Sequence, residues 1–145
     1  MVNIGYHTAK FQGQFIRSLY RNVVVKLVNL PIKQNRKAPI NVYSLSCERD
    51  LPEQVVSIRS FIRHVGIPDT FTVISDGSYT DDSCRLLRRI HPCVEVVPLK
   101  KLLRSDLPQC VSEYAQLHAM GRKLSALMSI PVDGPTIYTD SDILF

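Results

Sequence analysis

Residues 40–75 have the sequence INVYSLSCERDLPEQVVSIRSFIRHVGIPDTFTVIS. The apolar run at residues 40–46 predicts a β-strand, and a second run at residues 71–75 predicts another. Between them, apolar residues recur at helical spacing after Pro52, and Gly66 follows the last of them, so a helix is expected there. A strand, a helix and a strand at this spacing are typical of a crossover unit in a parallel sheet.

The alternation of strands and helices continues toward the C-terminus. Asp81 or Asp82 is expected to cap a second helix. The sequence then predicts a third strand at residues 94–97, a helix over about residues 113–129 and a fourth strand at residues 136–138. The predicted fold class is therefore α/β, with a mostly parallel, Rossmann-like sheet between two layers of helices.

The first 38 residues differ from the rest of the chain in charge. Residues 1–47 contain seven of the 18 Lys and Arg and none of the 13 Asp and Glu. Apolar residues recur at helical spacing over residues 11–30, and a polar segment at residues 33–39 has the composition of a linker. The apolar stripe consists of Ile16, Leu19, Val23, Leu27 and Leu30. We therefore divide the chain into a basic amphipathic helix with its linker, residues 1–38, and a domain, residues 39–145.

Two interpretations of the N-terminal helix stay open. It is a separable element that makes peripheral contact with an anionic membrane through residues 11–30, or its stripe packs on the domain. The cysteines form no Cys-x-x-Cys pair and share no zinc-like spacing with the histidines, so free thiols and a cytoplasmic location are expected. Nucleic-acid binding is not expected of the domain, because the excess of basic residues lies outside it and the chain has no Trp.

Polar segments follow three of the predicted strands, at residues 46–49, 76–78 and 140–142. Ligands of open parallel sheets bind at this edge. Asp140 and Asp142 place two carboxylates one residue apart, and such carboxylates suit Mg²⁺ or Mn²⁺ that also binds phosphate oxygens. In the second segment, an Asp can accept a hydrogen bond from a nucleoside, and the Gly after it allows close approach. An ordinary solvated turn is the alternative for residues 76–78 and for residues 140–142.

Arg122 and Lys123 lie in the helix that precedes the fourth strand. Cations at this place can bind a diphosphate, and Arg can do so with two parallel hydrogen bonds. A solvent-facing helix surface is the alternative. His118, one turn earlier, is expected to be packed or exposed rather than catalytic.

Four segments together resemble the first half of the GT-A family of nucleotide-diphospho-sugar transferases. They are YSLSC at 43–47, FTVISDGS at 71–78, GRKL at 121–124 and IYTDSDILF at 137–145. The resemblance covers residues 39–145, and the closing segment is its most specific part. It implies the GT-A fold, glycosyltransferase activity, a UDP-sugar as the favoured donor and an acceptor that the sequence does not identify.

The resemblance also implies roles for particular residues. In that family the Asp-x-Asp after a strand binds the Mn²⁺ or Mg²⁺ that holds the donor diphosphate, which here points to Asp140 and Asp142. The residues implied in binding the donor are Ser46, Asp76, Arg122, Lys123 and Asp140. No catalytic residue is assigned.

Members of the family continue well beyond the position of Phe145, with the acceptor site and the catalytic base or nucleophile. The chain is therefore expected to be a truncated domain or a fragment, with a poorly ordered closing segment and no sugar transfer of its own. The alternative is a non-catalytic nucleotide-binding or interaction domain, tethered to an anionic surface by the basic helix. A phosphotransferase of the haloacid dehalogenase kind is disfavoured, because its Asp-x-Asp follows the first strand and continues to Thr or Val.

Overall fold

The computed structural model describes residues 16, 19, 20, 22–24 and 26–145. The strands are β1 (Lys37–Ser46), β2 (Ile67–Ser75), β3 (Val94–Pro98) and β4 (Thr136–Tyr138). After residue 30 the helices are α1 (Leu51–His64), α2 (Asp81–Arg88), α3 (Leu99–Leu102), α4 (Gln109–Leu117) and α5 (Ala119–Ser129). A single 3₁₀ turn, Glu48–Asp50, joins β1 to α1.

The four strands form one parallel sheet in the order β3-β2-β1-β4. In the register of the sheet, Val42 of β1 lies beside Phe71 of β2 on one side and Ile137 of β4 on the other. The predicted α/β class with a parallel sheet and flanking helices is confirmed. Pro52 lies in the first turn of α1, as expected, and the buried side chains of this helix include Val55 and Ile58.

Apolar side chains are buried on both faces of the sheet, because successive residues of a strand point to opposite sides. Val42 and Val73 belong to the larger core cluster, which α1 and α2 cover. Their neighbours Tyr43 and Ile74 belong to a second cluster, with Ala126 of α5. The three-layer arrangement that the sequence predicts is therefore confirmed.

The linker predicted at residues 33–39 is partly wrong, because β1 begins within it at Lys37. Lys37 and Ala38 pair with the first two residues of β2, and the register shifts between Ala38 and Asn41. The backbone of Arg36 also accepts a hydrogen bond from Ile67 N at 2.8 Å. Pairing with the neighbouring strand thus extends β1 through a segment whose polar composition indicated a loop.

The cap of α2 is Thr80 rather than Asp81 or Asp82. The Thr80 backbone is extended, and its Oγ1 accepts a hydrogen bond from Ser83 N at 3.1 Å. Both aspartates lie inside the first turn, where their negative charges are favoured by the helix dipole. The prediction was wrong by one or two positions because Thr and Asp are both good caps.

The single helix predicted at residues 113–129 is also wrong, because the chain breaks at His118. That residue has φ −138° and ψ 145°, so its extended backbone separates α4 from α5. His118 is exposed, and its ring centroid lies 5.4 Å from that of Tyr114. The apolar spacing is similar in the two helices, which is why the sequence pattern did not show the break.

The helix predicted at residues 11–30 is helical at every described position from 16 to 28, and residues 29 and 30 form a turn instead of its last two positions. Residues 11–15, 17, 18, 21 and 25 of the predicted helix lie outside the described residues. Val24 and Val28 are buried in the larger core cluster. The predicted stripe is not the buried face, because Ile16, Leu19, Val23 and Leu30 are exposed and Leu27 is half-buried. Within the described part of the chain, no helix is long and apolar enough to cross a bilayer.

Candidate functional site

The ends of β1 and β2 lie side by side at the carboxyl edge of the sheet. Ser46 and Ser75 are neighbours in the parallel register, and Asp76 N donates a hydrogen bond to Ser46 O at 3.1 Å. Ser46 is buried, and Asp76 is half-buried. Two of the polar segments that the sequence singled out therefore meet at this edge.

The third polar segment joins the same edge from the other side of β1. Thr139 N donates to Tyr43 O at 2.9 Å, and Asp140 follows directly. The sheet is built outward from β1 through β2 to β3, and the chain then returns to place β4 on the opposite side of β1. Ligands of open α/β sheets bind at such a reversal, outside the carboxyl ends of the strands.

Helix α5 brings two cations to these strand ends. Arg122 Nη1 lies 3.9 Å from Asp76 Oδ2, and Lys123 Nζ donates to Asp140 Oδ1 at 2.5 Å. The Lys123 ammonium also lies 5.4 Å from the centroid of the Tyr138 ring. The hydrogen bond to Asp140 raises the pKa of Lys123 above its ordinary value, so this side chain is a cation at neutral pH.

The loop after β2 holds the Asp76 carboxylate in place. Ser78 donates to Asp76 Oδ1 twice, from its backbone N at 2.9 Å and from its hydroxyl at 2.6 Å. The same hydroxyl accepts a hydrogen bond from Glu48 N at 2.8 Å, which ties this loop to the turn after β1. Asp-Gly-Ser was recognised in the sequence as a turn, but the positioning role of Ser78 was missed because its partner in the other loop is 30 residues away.

Tyr79 is a second residue of the site that sequence reasoning missed. Its hydroxyl donates to Ser46 Oγ at 2.8 Å, and burial raises the pKa of Tyr79 well above its ordinary value. The phenol is therefore neutral and holds the Ser46 hydroxyl. The signal available in the sequence was an aromatic residue directly after the Asp-Gly-Ser turn.

A cleft of about 480 Å³ opens between the two loops and the start of α5. Ser46, Cys47, Asp76 and Arg122 are among its lining residues, and burial raises the pKa of the Cys47 thiol. A cleft of this volume is within the range of small-molecule sites. Five of the predicted site residues thus lie at one edge of the sheet: Ser46, Asp76, Arg122, Lys123 and Asp140. Lys123 and Asp140, which pair with each other, are not among the residues that line the cleft.

Asp142, the sixth predicted residue, is exposed and lines a different groove, with Glu53 and Val56 of α1. Among the residues that the structure describes, no group of three His, Cys, Asp or Glu side chains is placed to hold a metal. Two carboxylates are nevertheless a donor set that Mg²⁺ or Mn²⁺ accepts when phosphate and water complete the shell. Lys123 occupies Oδ1 of Asp140, so a cation bound through that oxygen would have to displace the ammonium.

The closing segment contacts α1, which the sequence did not predict. Phe145 N donates to Ser60 Oγ at 2.9 Å, and the Ser60 hydroxyl donates to Phe145 O at 2.7 Å. The Phe145 ring packs edge-to-face on Phe61, with 4.9 Å between the centroids. These contacts hold the segment that carries Asp140 and Asp142 at both ends, since β4 precedes it.

Comparison of the chain with protein-family models, with curated proteins and with solved structures found no match.

Proposed function

We propose that residues 39–145 are the donor-binding half of a GT-A glycosyltransferase, which binds a nucleotide-diphosphate sugar, with a UDP-sugar favoured, for transfer to an acceptor. One observation carries the proposal: neighbouring cations of α5 pair with carboxylates at the ends of two different strands. Arg122 faces Asp76, and Lys123 faces Asp140. The arrangement supports the proposal because the two cations would suit a diphosphate, Asp76 would suit a nucleoside hydrogen bond, and the Asp140 carboxylate would suit a divalent cation.

The two ion pairs suggest how the site accepts its ligand. Both pairs are partly exposed, and the 3.9 Å separation of Arg122 and Asp76 is long for a strong pair. Diphosphate oxygens offer Arg122 and Lys123 better partners than a single carboxylate does. When Arg122 and Lys123 bind the diphosphate instead of their carboxylate partners, Asp76 becomes available to accept a hydrogen bond from the ribose or the base. That change also leaves Asp140, with Asp142, to hold Mn²⁺ or Mg²⁺, which would neutralise the leaving diphosphate.

A non-catalytic nucleotide-binding domain is the second candidate, and the Lys123–Asp140 pair favours it. The ammonium already supplies a positive charge to Asp140, 2.5 Å from its carboxylate oxygen. In that case Lys123 stays on Asp140, and nucleotide binding needs no divalent cation. A cytoplasmic location belongs to both candidates, and the four free cysteines support it.

Titration calorimetry with uridine diphosphate, with and without Mn²⁺, tests the proposal. We expect Mn²⁺-dependent binding that weakens about tenfold or more in Asp140→Asn and Asp142→Ala, because each loses a metal ligand. Asp106→Ala is the matched control, since Asp106 is an exposed aspartate paired with Arg104 away from the cleft. Binding that needs no Mn²⁺ but is lost in Asp76→Asn and Arg122→Met would favour the second candidate. Absence of nucleotide binding contradicts both.

A further inference from the structure

A second groove, of about 540 Å³, runs along α1 toward its C-terminal end, away from the strand-end cleft. Four basic side chains line it: Lys33, Arg59, Arg63 and His64. Among the described residues that line this groove there is no Asp or Glu. Basic side chains without carboxylate partners in a groove produce a positive potential that attracts anions.

Arg59 is the least well compensated of these cations. Its Nη1 atom is buried and has no hydrogen-bond partner among the described residues. Burial lowers the pKa of Arg59, and the charge of Arg63 lowers it further. A half-buried guanidinium that is partly desolvated beside a like charge gains when an anion accepts its hydrogen bonds.

Capping of α1 does not account for this cluster. Arg36 Nη2 already donates to His64 O at 2.5 Å, and Gln34 Nε2 donates to Arg63 O at 3.0 Å. The last two carbonyls of the helix therefore have partners. The helix dipole acts mainly within the last turn, and Arg59 lies more than one turn before the end of α1.

The basic end of the groove continues into an apolar surface. Leu27 and Ile32 line the groove, as do Val56 and Leu144. Val56 and Leu144 also line the neighbouring groove, together with the exposed side chains of Ile16 and Tyr20. Glu53 and Asp142 lie in that neighbouring groove, so the attraction for anions is concentrated at the Arg59 end.

We propose that this groove binds an anionic phospholipid. Arg59 and Arg63 donate hydrogen bonds to the headgroup phosphate, and the apolar chain lies on Val56 and Leu144. An apolar surface with a basic end is suited to a phosphate attached to an acyl chain. Residues 1–47, which contain seven basic and no acidic residues, add attraction for an anionic leaflet. The site is separate from the strand-end cleft and does not depend on the proposed nucleotide binding.

The test is a calorimetric titration of the full chain with dihexanoyl phosphatidic acid below its micellar concentration. Inorganic phosphate and dihexanoyl phosphatidylcholine are titrated in parallel. We expect phosphatidic acid to bind more tightly than either, and Arg59→Met to weaken it about tenfold or more, because Met keeps the apolar stem and removes the charge. Arg85→Met is the matched control, since this exposed arginine pairs with Asp82 on α2 and should leave binding unchanged.

Two further variants keep the result interpretable. Arg63 is exposed, so Arg63→Met should fold normally and still weaken phosphatidic acid. Arg122→Met removes a cation of the strand-end cleft and should leave phosphatidic acid binding unchanged. Equal affinity for inorganic phosphate and phosphatidic acid, binding unaffected by both groove variants, loss of binding in Arg122→Met alone, or no binding of phosphatidic acid would each overturn the proposal.

Discussion

Arg122 and Lys123 are consecutive residues, yet they reach carboxylates at the ends of two different strands. Consecutive side chains on a helix diverge by about 100°, so one helix can contact both sides of a central strand. β2 and β4 flank β1, and α5 uses this divergence to contact Asp76 and Asp140. The sequence predicted all four residues as candidates, but it could not predict the pairs, because they depend on the order of strands in the sheet.

A pH dependence is expected at His91, just before β3. Its Nδ1 accepts a hydrogen bond from Cys93 N at 3.2 Å, which requires the unprotonated nitrogen. Burial, and then Lys37, lowers the pKa of His91 below its ordinary value of 6.5. The unfolded chain therefore binds a proton more readily, and stability contributed by neutral His91 is complete above about pH 6.5 and declines as the pH falls toward the folded pKa.

The expected size of this effect is a decrease of at most about 1 kcal/mol in the free energy of unfolding between pH 7 and pH 5. Urea unfolding at the two pH values measures it in the native chain and in His91→Asn. The Asn amide oxygen can accept the same N–H and does not titrate. The carboxylates titrate in both proteins, so the difference between their two changes in unfolding free energy gives the contribution of His91 alone. If both lose stability equally between pH 7 and pH 5, His91 makes no contribution.

Among the elements, the junction of α4 and α5 determines where the cations of the site lie. Gly121 is buried in α5, and a Cβ at this position would collide with the backbone at Tyr114 and Ala115 of α4. The close approach of the two helices thus depends on the missing side chain, and it fixes the part of α5 that carries Arg122. The sequence pattern predicted one helix here, since periodicity does not report a close backbone contact between two segments.

Gly121→Ala is expected to cost more than about 3 kcal/mol of stability, because a Cβ colliding with backbone forces the helices apart. Helix propensity alone would make this substitution stabilising, since Ala is more favourable than Gly in a helix interior by about 1 kcal/mol. Urea unfolding measures the change. Gly134→Ala is the matched control, since a Cβ there meets nothing within 4 Å. A stabilised Gly121→Ala protein would show that the two helices do not pack this closely.

At the scale of the whole molecule, the sequence predicted the class of the fold and the sheet edge at which the candidate residues lie. Strand positions were recognisable because runs such as residues 71–75 are apolar and bounded by turn residues. The attachment of the N-terminal segment was not predicted correctly. Val23 and Val24 are both apolar, and only the three-dimensional packing distinguishes the exposed one from the buried one. The attachment of Phe145 to α1 was missed for the same reason.

These adjacent valines provide a direct test of how the N-terminal segment packs. Val24 is 1% exposed within the main core, and Val23 is 48% exposed. Val24→Ala is expected to lower the free energy of unfolding by about 2 kcal/mol, because it removes buried methyl groups and leaves a cavity. Val23→Ala should change it by less than about 0.5 kcal/mol. Equal small effects in chemical denaturation would indicate a segment that is separable from the domain.

The position of β4 also has a kinetic consequence. β1 pairs with β2 after one crossover, whereas Ile137 of β4 reaches Val42 of β1 only after nearly all the described elements have intervened. Pairings between segments distant along the chain form slowly, because the loop-closure entropy must be overcome first. We therefore expect β1 and β2 to acquire amide protection earlier than Thr136–Tyr138 in pulse-labelled hydrogen exchange during refolding. Simultaneous protection would contradict this order. On this pathway the side of the cleft formed by the ends of β1 and β2 assembles early, and Asp140 meets Lys123 only when the last strand docks.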